Sequence, residues 1–285
     1  MQKTVRNNIS EKFSWQAKKL VPADLDKACL CMEIGADSLG YAVFSPGREP
    51  LVLKSLQNKQ FTVQANFIEG YFDREDILQH SFAKVLISIR DVPYTLVPRA
   101  FYKEEDKELF LKFNCGPAKN TVILTDEVQR MDAKLLYAMD ADLKKNIDKL
   151  FPSHHTKSAV SLLIDHSMPE KTAKDTAFLH FRKDAVDLVV YRNSPLFCNS
   201  FSVLSPEDLL YFVLASFEQF AFDPATVKLV ITGETETNSF AVKLLTKYIK
   251  SVSFALIDRQ FKKPLDIPGM PSHYYYHLLN RIQCE

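Results

Sequence analysis

With 285 residues, 46% of them apolar and 25% charged, the chain has enough apolar material for two lobes of roughly 100–150 residues and too much for wholesale disorder. Thirty-six Lys and Arg against thirty-five Asp and Glu leave a net charge of +1, so no global field would hold a polyanion, and nucleic acid is not an expected partner. No apolar run of about 18 residues occurs, which excludes a membrane span, and five cysteines (Cys29, Cys31, Cys115, Cys198, Cys284) read as reduced thiols of a cytoplasmic protein.

Residues 1–25 read as an N-terminal extension without the apolar core of a signal peptide. Ile9, Phe13, Trp15 and Leu20 interleave with Lys12, Lys18 and Lys19. This pattern suits an extension that is poorly ordered or packed on the first lobe, with a partner-docking or membrane-surface helix as the alternative.

A first lobe is expected over residues 26–168. The segment 34–44, preceded by an apolar stretch over 28–34 and followed past a polar turn by another over 51–56, predicts a three-stranded antiparallel meander. Asp73 then opens an expected helix with Ile77, Leu78, Phe82, Val85, Leu86 and Ile89 on its buried face. Strand, helix and strand follow at 94–97, 104–113 and 121–124. Residues 135–139, 143–150, 154–157 and 158–166 then form an extension, and a polar junction over 167–174 closes the lobe.

The second lobe, residues 169–268, repeats the scheme. Ile34-Gly35-Ala36-Asp37-Ser38 aligns without gaps with Phe181-Arg182-Lys183-Asp184-Ala185, and the match continues to Phe44 and Tyr191. A meander over 176–203 leads to a helix with a clear start: Ser205 caps, Pro206 suits the first helical position and Asp208 completes a capping box. Strand 227–232, helix 237–250 and strand 253–257 complete the copy. Residues 269–285 form a C-terminal helix, expected from Ser272 to Ile282, that packs back on a lobe.

A duplicated βββαβαβ unit resembles the actin, Hsp70 and sugar-kinase superfamily, a two-lobed α/β, ribonuclease H-like architecture. Over residues 26–285, from Glu33-Ile34-Gly35-Ala36-Asp37-Ser38-Leu39-Gly40 to the tail Asn280-Arg281-Ile282-Gln283-Cys284-Glu285, the chain also resembles the uncharacterised Bacteroidota domain-of-unknown-function family 3822 with an actin-like ATPase fold. The first-lobe extension is similar to that of the pilus-assembly members of the superfamily, which are cytoplasmic adaptors.

The resemblance implies a nucleotide site in which hairpin turns from the two lobes grip phosphates with backbone amides. Such turns need glycine, because only without a Cβ can the backbone take positive φ and approach phosphate oxygens. The chain has only seven glycines. On this frame the nucleotide-binding candidates are Glu33, Gly35, Asp37 and Ser38 in the first turn, Arg182, Lys183 and Asp184 in the second, and Gly233 and Glu234 in a strand-to-helix turn. Asp37 would set a negative charge beside the phosphates, and the second turn has no glycine, so the motif is degenerate. No catalytic or metal-binding residue stands out. His273 and His277, four apart, read as an ordinary helix face, and Cys29 and Cys31 as small packing groups on one strand face.

The expected function is a non-catalytic scaffold or adaptor that needs no cofactor and acts on an unidentified protein partner or as a homodimer. The alternative is an ATP-binding switch, or a weak ATPase or kinase, using ATP with Mg at the degenerate site. A third reading, RNA or ribosome association, rests on the basic residues Lys247, Lys250, Arg259, Lys262 and Lys263.

Overall fold

The computed structural model describes residues 9–18, 20–58, 68, 71–72, 75–117, 119–167, 175–256, 267–271 and 273–283. Asp73, residues 168–174, Arg259, Lys262, Lys263, Ser272 and Cys284 lie outside the described residues. The chain divides into two compact units: Met1–Val128 with Asp132–Leu162 and Leu278–Glu285, and Gln129–Met131 with Leu163–His277.

In the first unit, β1 (Ile9–Gln16) precedes the meander β2 (Cys29–Ile34), β3 (Ser38–Phe44) and β4 (Pro50–Asn58), and β5 (Lys84–Ile89) then adds in parallel to β2. Next come β6 (Tyr94–Pro98), α1 (Lys107–Cys115), β7 (Thr121–Val128), β8 (Ala133–Asp140), α2 (Ala141–Leu150) and β9 (His154–Ser158). The main sheet has six strands in the order β1-β4-β3-β2-β5-β9, while β6, β8 and β7 form a separate three-stranded antiparallel sheet. Val97, Leu111, Leu136 and Ala138 make the small core under α1.

One expectation changes here and another takes a definite form. The stretch from Val85 to Ile89 is a strand, not the end of a helix opened at Asp73; Ile77 and Leu78 sit in a separate short 3₁₀ turn, Asp76–Gln79. All five residues from Val85 to Ile89 are buried. A strand covered on both faces is a continuous apolar run, and such a run also satisfies a helical apolar spacing. Within the N-terminal extension, β1 (Ile9–Gln16) packs on the first lobe as an edge strand, pairing antiparallel with β4 from Ile9↔Asn58 to Gln16↔Val52, with an irregularity between Glu11 and Phe13.

The second unit contains β10 (Asp175–Phe181), β11 (Ala185–Arg192), β12 (Ser194–Ser202), α4 (Pro206–Gln219), β13 (Lys228–Gly233), α5 (Phe240–Tyr248) and β14 (Ser251–Phe254). The preceding helix, α3 (Ala159–His166), runs across the division between the units. The sheet order is β12-β11-β10-β13-β14, the same as β4-β3-β2-β5-β9, with β13 and β14 again parallel to β10. Leu179, Leu188, Val213, Phe217, Leu229, Ile231 and Leu245 are among its core residues.

This correspondence moves the repeat. The counterparts of β13, α5 and β14 are β5, α2 and β9, so the extra material in the first unit is β6 to β8 with α1; of the expected extension only 135–139, within β8, belongs to it, while 143–150 and 154–157 have counterparts in the second unit. The C-terminal helix is also shorter than expected: α6 (Tyr276–Asn280) starts four residues beyond Ser272 and continues as a 3₁₀ turn, Arg281–Gln283.

Helix α4 starts as its sequence dictates. The Ser205 side chain accepts from the Asp208 N–H, the Asp208 carboxylate accepts from the Ser205 N–H at 3.1 Å, and Pro206 fills the first turn. Both donors would otherwise be orphaned at the helix start. We predict that Ser205→Ala lowers unfolding stability by ~1 kcal/mol, read by urea denaturation. Ser205→Ala combined with Asp208→Ala should cost less than the sum of the single changes, because the two side chains act as one reciprocal cap.

Candidate functional site

The two hairpin turns are built by the same main-chain hydrogen bonds, each within its own unit. In the first, Gly35 N–H donates to the Ser38 carbonyl at 2.9 Å, and in the second Arg182 N–H donates to the Ala185 carbonyl at 2.9 Å. Asn58 N–H donates to the Asp37 carbonyl and Val203 N–H to the Asp184 carbonyl, at 2.7 and 3.1 Å. Beyond the parallel strand, Arg90 N–H donates to the Ile34 carbonyl and Glu234 N–H to the Phe181 carbonyl, both at 2.9 Å. The gapless alignment of Asp37 with Asp184 is therefore a geometric equivalence, and Arg90 and Glu234 occupy matching positions.

In the first unit these bonds carry Arg90 and Asp91 to the turn. The Arg90 guanidinium is only 10% exposed; Nη1 lies 3.3 Å from Glu33 Oε1, Nη2 donates to Ser38 Oγ, and Nε stands 3.6 Å from Asp91 Oδ2. Asp91, at φ 59°, turns its carboxylate back so that Oδ2 accepts from the Ala36 N–H at 3.1 Å. The turn thus presents an amide to an anion, as a phosphate-binding turn would, and the anion it meets is the chain's own. Gly35 serves the same arrangement: a Cβ there would stand 2.6 Å from Asp91 Oδ2, 2.7 Å from Ser38 Oγ and 2.8 Å from Arg90 Nε.

Among the first-turn candidates, Glu33, Gly35 and Ser38 therefore converge on Arg90. Asp37 faces elsewhere, its carboxylate accepting from Gln57 Nε2 at 3.1 Å. In the second turn Lys183 and Asp184 occupy the exposed tip. Arg182 is held across the hairpin by the buried Asp187 carboxylate, 2.8 Å from its Nη2, and Ser200 Oγ donates to the same oxygen.

The strand-to-helix turn is also closed by its own chain. Gly233 N–H donates to the His273 carbonyl at 2.8 Å, Glu234 N–H to Phe181, and Thr235 N–H to the Gly233 carbonyl at 2.9 Å. Gly233 sits at φ 86°, and a Cβ there would overlap the Phe181 carbonyl oxygen. His273 fastens the segment a second time, with Nε2 2.8 Å from the Thr235 carbonyl oxygen. His277 is instead packed against His180, ring centroids 3.9 Å apart, so the two C-terminal histidines serve different neighbours rather than one helix face.

Sequence reasoning missed Arg90, Asp91 and Asp187. The first two lie just past an apolar run, where the carboxyl end of a parallel strand meets a turn, a position that commonly carries function in α/β sheets. Once Val85 to Ile89 is a strand, that signal is visible.

The profile of a family described as "Protein of unknown function (DUF3822)" matches residues 17–252. Among solved structures, a Bacteroides thetaiotaomicron VPI-5482 protein with actin-like ATPase fold and unknown function aligns with a TM-score of 0.76 at 20% identity, covering 83% of this chain and 93% of that one. The PilM–PilN type IV pilus biogenesis complex aligns with a TM-score of 0.61 at 12% identity, covering 91% of this chain and 98% of the matched chain. No curated protein sequence matches. These likenesses establish the actin-like ATPase fold.

The three glycine environments rank their substitutions. Gly233→Ala combines positive φ with a backbone overlap that cannot relax locally and should cost at least ~3 kcal/mol. Gly35→Ala meets only side-chain ends and should cost ~1–3 kcal/mol by displacing Arg90 and Asp91. Gly47→Ala, with its nearest atom at 3.6 Å, should be near neutral. Urea unfolding of the three variants checks the order.

Proposed function

The chain belongs to the family described as "Protein of unknown function (DUF3822)", and we propose that it works as a non-catalytic actin-fold scaffold acting through protein–protein contacts. The observation that carries this reading is the Ala36 amide donating to Asp91, with Arg90 filling the space above Gly35. A triphosphate would have to displace a carboxylate already bonded in the turn and break up a mostly buried Arg90–Glu33 pair. Leaving a buried charge without its partner costs several kcal/mol. The amides of Gly233, Glu234 and Thr235 are likewise committed to carbonyls of the chain. These residues do not fit ATP with Mg.

Two features support contact with another protein. Helix α1 turns Leu109 and Phe113 outward at i,i+4 spacing, 64% and 86% exposed, and Phe101 just before it is 70% exposed. Large exposed apolar side chains grouped in one inserted element mark an interaction surface more often than a random scatter does. The PilM neighbour is recorded in complex with PilN, so this fold serves there as one member of an assembly. The partner here is another protein or a second copy of the chain.

We expect no change in melting temperature with millimolar ATP and magnesium. A ligand at 100 times its dissociation constant would add ~2.7 kcal/mol, a shift of several degrees that would overturn the reading in favour of an ATP-dependent switch. On the scaffold side, Leu109→Ser with Phe113→Ser should alter folding stability by no more than ~0.5 kcal/mol while reducing recovery of the partner that wild type enriches from its native cell.

A further inference from the structure

The first unit contains a pocket of about 320 Å³, at the small end of the range for ligand sites. Its apolar wall is formed by Trp15, Leu20, Leu25, Val52 and Ile77, and its polar groups by Tyr41, Lys54, Glu75, Asp76 and His80. None of these residues belongs to the hairpin turns.

The floor is a closed network. Lys54 Nζ lies 2.7 Å from both Glu75 oxygens, and the phenols of Tyr41 and Tyr71 each donate to Glu75 Oε2 at 2.7 Å. Burial alone would raise the Glu75 carboxyl, but the hydrogen bonds from Lys54, Tyr41 and Tyr71 outweigh it and hold the group below its ordinary value. Burial, with the bond to Glu75 next, pushes the Tyr41 phenol up, so it stays a donor. Lys54, the one ammonium among the described residues lining the pocket, is thus offset by Glu75, and Glu11 Oε2 lies 3.5 Å from its Nζ.

The rim carries the remaining charge. Asp76 forms no ion pair among the described residues and is exposed. His80 Nδ1 lies 2.9 Å from the Asp76 carbonyl oxygen, so Nδ1 carries a proton toward it, and the neutral form of the ring has Nε2 as its acceptor. Among the described lining residues two carboxylates, Glu75 and Asp76, stand against one ammonium, and with the ring nitrogen of His80 and the indole of Trp15 they favour a positive guest, since cations are attracted to both carboxylates and aromatic rings.

We propose that this pocket binds a small organic cation, an ammonium group carried on an aromatic or apolar body. The ammonium meets Asp76 and His80 Nε2 at the rim, and the body lies against Trp15 and the aliphatic wall. The reading is independent of whether the hairpin turns bind nucleotide.

Trp15 is the only tryptophan of the chain and lines this pocket, so indole emission is a local probe of it. Full-length protein is titrated with phenethylammonium, with neutral 2-phenylethanol and with anionic phenylacetate, following indole emission and heat of binding in parallel so that binding silent to the indole still registers. Phenethylammonium should give a saturable change, the alcohol should bind about tenfold more weakly, and phenylacetate should not bind. Asp76→Asn should bring the ammonium probe to the level of the alcohol while leaving the melting temperature unchanged. His80→Ala should weaken the same probe and spare the alcohol. No saturable signal with phenethylammonium, equal affinity for the three probes, or tighter binding of the anion overturns the proposal.

Discussion

The structure depends on a main-chain constraint repeated in each unit: the first strand of an antiparallel meander is also paired in parallel with the strand that follows it in the sheet. Ile34 and Phe181, the last residues of β2 and β10, each give their carbonyl to the residue just beyond that parallel strand, Arg90 and Glu234 respectively. This bond brings whatever follows the parallel strand against the hairpin turn. The fold thereby builds two equivalent positions, and the side chains placed there decide what each can do. An arginine followed by an aspartate at positive φ closes the first turn on itself, whereas in the second unit a glycine precedes the glutamate and the main chain supplies the closure.

How much of this was legible follows from the range of the interactions. The hairpins could be read because Ile34 to Ser38 and Phe181 to Ala185 are local and gapless, each joining two apolar stretches across a polar turn. The α4 capping box was legible for the same reason, all its donors and acceptors lying within four residues. The position of β5 was not, because a strand buried on both faces loses the period of two that marks strands. That one misreading moved the repeat onto β6, α1 and β7 and hid Arg90 and Asp91 from the site. Their contacts with Ser38 and Ala36 span 52 and 55 residues, beyond the reach of any local pattern.

The N-terminal strand shows the opposite failure. Ser10, Lys12, Ser14 and Gln16 alternate with Glu11, Phe13 and Trp15, a pattern mixed enough to suit a helix, a strand or neither. Pairing with β4 decides among them, since the exposed edge of β4 offers main-chain donors and acceptors that β1 satisfies along its length. By adding to that edge, β1 brings Ser14, Trp15 and Gln16 to one side of the pocket whose floor holds Lys54 and Tyr41.

Glycine scarcity takes on a different meaning once the two key positions are seen. Gly233 is required by the backbone itself, through its positive φ and the nearness of the Phe181 carbonyl. Gly35 is not at positive φ; its lack of a Cβ makes room for Asp91, Ser38 and Arg90 side chains. A glycine in the first turn therefore does not by itself argue for phosphate, because the same space can admit a guest or the chain's own side chains. The bonds that define each hairpin join main-chain atoms only, so they persist under any side chains the turn carries. That independence explains how a chain can keep the strand order of an ATPase fold in both units while the amide at its first turn is spent on an aspartate of its own.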